Sequence, residues 1–309
     1  MGDFTEDSDG LVWRSVAVAR GHSDEELRRA VRAGHLHRIW PGAYVLTAHR
    51  HPRDDLAHLR LTAAARSCDG IMPVSHVSAA LLHNLPLLKP SHEKVHFTNG
   101  RASGGRIESR RHIHAGLLLP RDVTAVNGIA VTTIERTAVD TAQTGTFEQG
   151  LAVFDSALRL GADRDLMTSM VAGRRGRQRI AHARLALTSA DRLSETVGES
   201  WSRAQMIACP DIPRPRLQHV FYSADGRFIA RVDFDWDGRL VGEFDGLVKY
   251  GGGLMKAGQT PNDVVIAEKI REDRLRQMGI EIVRWTWADL VNGNLPTILR
   301  RAMVRTGIM

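Results

Sequence analysis

The sequence predicts an α+β protein built in three parts. Three observations carry that expectation. Near the start, a helix-period stretch with capping signals runs into two short β-patterned stretches across Pro41-Gly42. A middle region mixes helical and strand patterns with few chemical signals. Near the end, RVDFDWDGRLVGEFDGLVKY (231–250) sets two acid-bearing β-patterned runs across Asp237-Gly238, with helical patterns on either side. The expected boundaries are 1–51, 52–190 and 191–309.

In the first part, LVWRSVAVAR (11–20) reads as a short helix ended by Gly21. Ser23 with Glu26 three residues on is a capping box for the next helix, and Asp24 and Glu25 suit its positive end. Gly34 suits the residue just past its end. Leu27, Ala30 and Val31 form the inward stripe, and Arg28, Arg29 and Arg32 lie outside it. HLHRI and AYVL then read as two strands. Helix, turn, helix and β-hairpin is the layout of a winged helix-turn-helix. In that layout Arg28, Arg29 and Arg32 enter the major groove, and His37 and Arg38 meet phosphate from the wing. A small packing domain with exposed arginines fits the same pattern. RAGHLHRIWPGAYVL also resembles the N-terminal domain of AbiEi-type antitoxins, transcriptional repressors of toxin–antitoxin systems. That resemblance implies a winged helix that binds double-stranded DNA.

In the middle part, Leu56 to Ser67 and SHVSAALLHNLPL (75–87) read as helices, the second stopped by Pro86. KVHFT reads as a strand. GIAVTTIERTAVDTA reads as a strand feeding a helix capped near Thr132 or Thr133. These stretches resemble the middle region of AbiEi-like proteins. His76 and His83, seven apart on an apolar helix, read as packing residues. Asp140 pairs with Arg136 at helical spacing. The basic stretches 101–114 and 174–184 suit either a DNA backbone or a solvated linker.

The last part holds the chemistry. Acids on neighbouring strands can hold a divalent metal, and phosphodiester hydrolysis builds negative charge that Mg²⁺ stabilises. Mg²⁺ takes oxygen ligands and needs only one or two carboxylates from the protein. Convergence depends on register. A two-residue turn at Asp237-Gly238 would pair Asp233 with Gly242 and send Asp233 and Glu243 to opposite faces. A three-residue loop or a bulge shifts the register by one and brings Asp233, Asp235, Glu243 and Asp245 to one face. An odd connection is therefore expected. A plain surface hairpin, with Phe234, Trp236, Leu240 and Phe244 inward, fits the same alternation.

Residues 193–292 resemble the PD-(D/E)xK nuclease superfamily, especially the group related to very-short-patch repair endonucleases. The likeness rests on SETVGESWSRAQM (194–206), VDFDW, EFDG, the helix EKIREDRLRQMG (268–279) and the strand IEIVRWTWADL (280–290). It implies a metal-dependent DNA endonuclease. Asp233 and Glu243 become the ligands of Mg²⁺ or Mn²⁺, Glu199 the first-helix acid, and Glu195 a lesser candidate one turn earlier. The superfamily places Lys two residues after the second acid, and here that residue is Asp245. Lys249 is then the lysine that reaches back, with Lys269 a lesser substitute. Arg271, Arg274 and Arg276 are expected on the late helix, with Ile270, Leu275 and Met278 as its apolar face. Trp285 and Trp287 are expected on the closing strand. Residues 251–262 are Gly-rich and read as a loop beside the site.

The alternative is an AbiEi-type repressor with an inactive nuclease-like domain and a cognate nucleotidyltransferase toxin as partner. The oligomeric state stays open, a homodimer included. Bulk composition agrees with both readings. The net charge of +7 favours an anionic partner, though a generic arginine-rich composition gives the same figure. The two cysteines, Cys68 and Cys209, lie far apart, which argues against a disulfide framework and a zinc cluster. No apolar run approaches the roughly 20 residues of a membrane span, and the acidic start is unlike a signal peptide. A cytoplasmic location is expected.

Overall fold

The computed structural model describes residues 4–48, 53–68, 72–174, 179–223, 225–246 and 261–309. It is a mixed α+β structure with several small sheets. The chain divides into two compact units, Met1–Leu85 with Pro90–Asp140 and Pro86–Lys89 with Thr141–Met309. No helix of the described residues is long and apolar enough to cross a membrane.

The first unit opens with β1 (Val12–Trp13), α1 (Arg14–Ala19), α2 (Asp24–Arg32), β2 (Leu36–Trp40) and β3 (Ala43–Leu46). The helix expected over 11–20 therefore begins at Arg14. Val12 and Trp13 instead pair with Tyr44 and Ala43 of β3. Their extended backbone gains a sheet partner that a longer helix could not offer. The capping box at α2 is formed, with the Glu26 carboxylate 2.7 Å from the Ser23 amide and Ser23 Oγ accepting from the Glu26 amide. Gly34, at φ +72°, turns the chain out of α2, and the His35 amide closes onto the Ala30 carbonyl. Leu27 and Ala30 are buried with Val12, Ala17, Leu36 and Tyr44.

The unit continues with α3 (Arg53–Arg66), α4 (His76–Leu82), β4 (Val95–Gly100), β5 (Arg106–Ile107), β6 (Arg111–Leu117), β7 (Val123–Val126) and β8 (Ile129–Thr132). The helix α5 (Ile134–Thr144) crosses the division between units. Strand β6 lies between β4, to which it is parallel, and β5. Leu61, Val74, Phe97 and Val131 are the centre of a core shared with Ile39, Trp40 and Val45. Helix α4 stops before Pro86 is reached. Asn84 takes a left-handed backbone at φ +51°, and the Leu85 amide closes onto Ala80, so the stop is a cap and not the proline. Arg136 bonds Asp140 as the spacing predicts, and it also bonds Asp122. His83 packs through its Nε2, 2.7 Å from the Thr132 carbonyl.

The second unit contains α6 (Phe147–Arg159), α7 (Arg164–Ala172), α8 (Ile180–Ser189), α9 (Val197–Ile207), β9 (Arg216–Tyr222), β10 (Phe228–Trp236), β11 (Leu240–Asp245), α10 (Pro261–Gln277), β12 (Glu281–Thr286), α11 (Trp287–Val291) and α12 (Leu295–Arg305). Its sheet runs β12-β11-β10-β9. The pairs β9–β10 and β10–β11 are antiparallel, and β11–β12 is parallel, with α10 between these two strands in sequence. Trp285 is buried as expected, with its indole N–H on Ser202 Oγ at 2.8 Å. Trp287 is not on the strand. Thr286 is the N-cap, its amide and hydroxyl donating to Asp289 Oδ2, so Trp287 opens α11. Of the apolar face expected on α10, Leu275 alone reaches the core, while Ile270 and Met278 are nearly half exposed.

Candidate functional site

The register of the β10–β11 hairpin sets the geometry. Trp236 pairs with Leu240, Asp235 with Val241 and Phe234 with Gly242. The connection is thus the odd one, Asp237-Gly238-Arg239. Asp237 and Gly238 both take positive φ, at +55° and +66°, and the Arg239 amide bonds the Trp236 carbonyl. Carried one step further, the same register sets Asp233 opposite Glu243.

Asp233 is held from two sides. Its Oδ2 accepts the Phe244 amide at 3.0 Å, and Gln218 Nε2 lies 3.4 Å from its Oδ1. The same Gln218 nitrogen donates to Glu199 Oε2 at 3.0 Å. One amide therefore bridges two carboxylates from different elements, β10 and α9. Gln218 sits in β9 with φ +50°, a left-handed backbone that a non-glycine residue rarely adopts inside a strand. The ladder from β9 to β10 skips the same place, passing from His219↔Val232 to Leu217↔Phe234.

Glu199 is positioned by the start of α9. Thr196 caps that helix by accepting the Glu199 amide, and its hydroxyl donates to Glu199 Oε1 at 2.8 Å. The Glu195 amide donates to Glu199 Oε2 at 2.9 Å. Burial, and then the nearby Asp233 charge, raise the Glu199 pKa above its ordinary 4.5. Burial also raises Asp233 above its ordinary 3.8; the Phe244 hydrogen bond opposes the shift and the Glu243 charge adds to it. These are carboxylates whose negative charge is incompletely compensated.

Glu243 differs. Arg271 donates to its Oε1 at 2.7 Å and Arg284 to its Oε2 at 3.0 Å, so each oxygen meets a guanidinium. Arg284 also reaches Glu272 at 3.2 Å.

Several expected participants lie elsewhere. Asp235 is buried and tied to Arg216 and to the Gly238 amide, which makes it a brace of the hairpin. Asp245 is exposed at the end of β11. Glu195 precedes α9 because Thr196 takes the cap. It therefore does not share a helical face with Glu199, and it pairs with Arg231 at 2.9 Å. Lys269 is exposed on α10. Lys249 and residues 251–260 lie outside the described residues. The bridge through Gln218 was not foreseen, since a single glutamine in a β-patterned run carries no signal of its own. The sequence places Arg271 on its helix but does not show its partner, Glu243.

In the first unit, Arg28, Arg29 and Arg32 are exposed on α2, and His37 and Arg38 are exposed on β2. Glu25 holds Arg28 at 3.0 Å and Arg32 at 2.7 Å. A second, unforeseen cluster joins His76 to His96 and His114, whose ligand atoms lie within 4.8 Å of one another. Among the described residues the acids around Asp233 form no such group of three.

Comparison with models of known families gives no match, and no curated protein matches the chain. Among solved structures, the chain is similar to the crystal structure of the RV2827C protein from Mycobacterium tuberculosis. The identity is 12% and the TM-score 0.41, over 72% of this chain and 90% of that one.

Proposed function

We propose that this is a DNA-binding protein whose last part, residues 191–309, is a metal-dependent DNA endonuclease. The observation that carries the reading is the Gln218 bridge between Glu199 and Asp233, with Asp233 opposite Glu243. The order α9, β9, β10, β11, α10, β12 contains the helix, acid-bearing strand pair, helix and closing strand of the PD-(D/E)xK resemblance, with β9 as an additional strand. The donor set fits a hard divalent cation, because Glu199 and Asp233 are buried oxygen donors, both raised in pKa, and neighbouring acid charge adds to each shift. Mg²⁺ or Mn²⁺ at Asp233 and Glu243 would supply charge neutralisation at the phosphate and a more acidic water. Glu199 assists as a third carboxylate or through a water, and Gln218 fixes the spacing between it and Asp233. Lys249 positions the nucleophile. The N-terminal part, read as a winged helix, presents Arg28, Arg29, Arg32, His37 and Arg38 to duplex DNA and raises the local substrate concentration.

A second reading has its own observation. Both oxygens of Glu243 are held by arginines, and Asp245 stands where the superfamily carries lysine. These favour an AbiEi-type repressor with an idle nuclease-like domain. One experiment separates the two readings. Supercoiled plasmid is incubated with the full chain in Mg²⁺ or Mn²⁺, beside Asp233→Ala and Glu243→Ala. Metal-dependent nicking lost in both variants supports the enzyme. Salt-sensitive binding without cleavage in either metal rejects it and leaves the repressor.

A further inference from the structure

The histidines of the first unit make a different kind of site from the acids. His76 stands at the start of α4, His96 on β4 and His114 on β6. His96 Nδ1 and His114 Nε2 are 2.9 Å apart. The His76 ring stacks on His114 with centroids 3.6 Å apart, and the His112 ring stacks on the same His114 at 3.7 Å. Two imidazole nitrogens this close share either a proton or a cation.

The backbone around them is fixed. The Ser75 amide bonds the His96 carbonyl at 2.9 Å, and the His96 amide bonds Ser78 Oγ at 3.0 Å. The start of α4 is thereby locked to β4. Strands β4 and β6 are parallel, with His96 beside His112 and Thr98 beside His114. Side chains two apart on a strand share a face, so His112 and His114 share theirs. His76 carries a second mark. It is a buried, non-glycine residue at φ +53°. Such a backbone costs about 1–3 kcal/mol and persists where the surroundings demand it. Ser75 Oγ, fully buried, lies 2.9 Å from His76 Nδ1. A hydrogen bond on one ring nitrogen fixes the tautomer and the ring orientation, the usual outer support of a metal-bound imidazole.

We propose that His76, His96 and His114 form a binding site for a transition-metal ion of the zinc class, which ties α4 to the β4–β6 pair. Imidazole donors suit Zn²⁺ and its neighbours, whereas the carboxylates of the second unit suit Mg²⁺. Nitrogens about 2.0–2.1 Å from a tetrahedral zinc stand roughly 3.3 Å apart. The three here already lie within 4.8 Å, and imidazoles turn readily about their last torsion. Three protein ligands leave the fourth position to solvent.

The test uses the full chain, stripped with chelator and freed of any polyhistidine tag. It is titrated with Co²⁺ while the visible d–d absorption is followed. The expected result is a band that saturates at one equivalent, disappears on addition of Zn²⁺ and is insensitive to excess Mg²⁺. The band survives Asp233→Ala, which keeps this site distinct from the acidic one, and is lost in His96→Gln and in His114→Gln. Ser75→Ala, which removes a positioning residue, weakens zinc by about 10–100-fold in competition with a chromophoric chelator. No saturable band in the wild type overturns the proposal, as does a band that persists in both histidine variants. If those variants do not fold, the zinc-edge X-ray absorption of the wild-type complex decides: imidazole neighbours support the site, and an oxygen-only shell overturns it.

Discussion

Glu199→Gln is expected to stabilise the protein at neutral pH, although it alters a buried, fully hydrogen-bonded residue. Glutamine keeps the shape. Its carbonyl oxygen can accept from the Glu195 amide and Gln218 Nε2, as Oε2 does now, and its amide group can face the Thr196 hydroxyl. What changes is the charge. The Gln218 nitrogen stands 3.0 Å from Glu199 Oε2 and 3.4 Å from Asp233 Oδ1, so the two oxygens are at most 6.4 Å apart. Two unit charges at that separation repel by about 2.6 kcal/mol at an effective dielectric constant of 20 and by about 0.6 kcal/mol in water. Glu199 is buried and Asp233 partly so, which puts the expected gain at about 1–2 kcal/mol. The sign follows from linkage. Both folded-state pKa values are raised, so the folded chain binds more protons than the unfolded one just above the ordinary values of 4.5 and 3.8. Wild-type stability therefore falls as pH rises through the raised values. Below the ordinary values both acids are protonated in either state and the gain of the variant vanishes. Urea denaturation at about pH 8 and about pH 3 measures both ends. A variant no more stable than wild type at the higher pH refutes the argument, as does a gain that persists at the lower one.

Three further outcomes follow from particular contacts. Gly242→Ala sets a Cβ 2.6 Å from the Trp285 ring and 3.1 Å from Trp236. Overpacking of about 1–3 kcal/mol and a weakened Trp285–Ser202 bond, offset by about 0.5–1 kcal/mol of unfolded-state entropy, leave a loss of about 1–3 kcal/mol in urea denaturation. Asp155→Ala strands the buried Arg203, 2.5 Å from it, and should cost about 3–5 kcal/mol, read as a lowered thermal midpoint. Ser23→Ala removes the capping box of α2 and should cost about 1 kcal/mol, measured as a lower urea midpoint.

Local chemistry was the legible part of this chain. The capping box, the Arg136–Asp140 pair and the odd hairpin connection each depend on residues close in sequence, and each is found. Features set by distant partners were not legible. Val12 and Trp13 look helical until β3 offers them a ladder. Glu195 sits one turn before Glu199 in sequence, yet Thr196 takes the cap and moves it off the helix. Gln218 matters because of a strained backbone and a bridging amide, neither of which leaves a mark in sequence. His76, His96 and His114 come from three segments. In sequence His76 reads as a packing residue, and the other two alternate on strands as ordinary polar residues do.

The charges around Asp233 divide the site into two halves, and that division bears on both readings of function. On one side Glu199 and Asp233 face each other across a neutral amide, and both are raised in pKa. On the other side Glu243 meets Arg271 and Arg284. A cation that joins Glu199 and Asp233 leaves the arginine pair intact, whereas one that requires Glu243 must compete with two guanidiniums. A phosphodiester has a use for both halves: cationic charge at its oxygens and carboxylates to draw a proton from water. A repressor that no longer cuts has a use for only the positive half. The charge left uncompensated on Glu199 and Asp233 is therefore the feature that the idle-domain reading must explain and that the endonuclease reading employs.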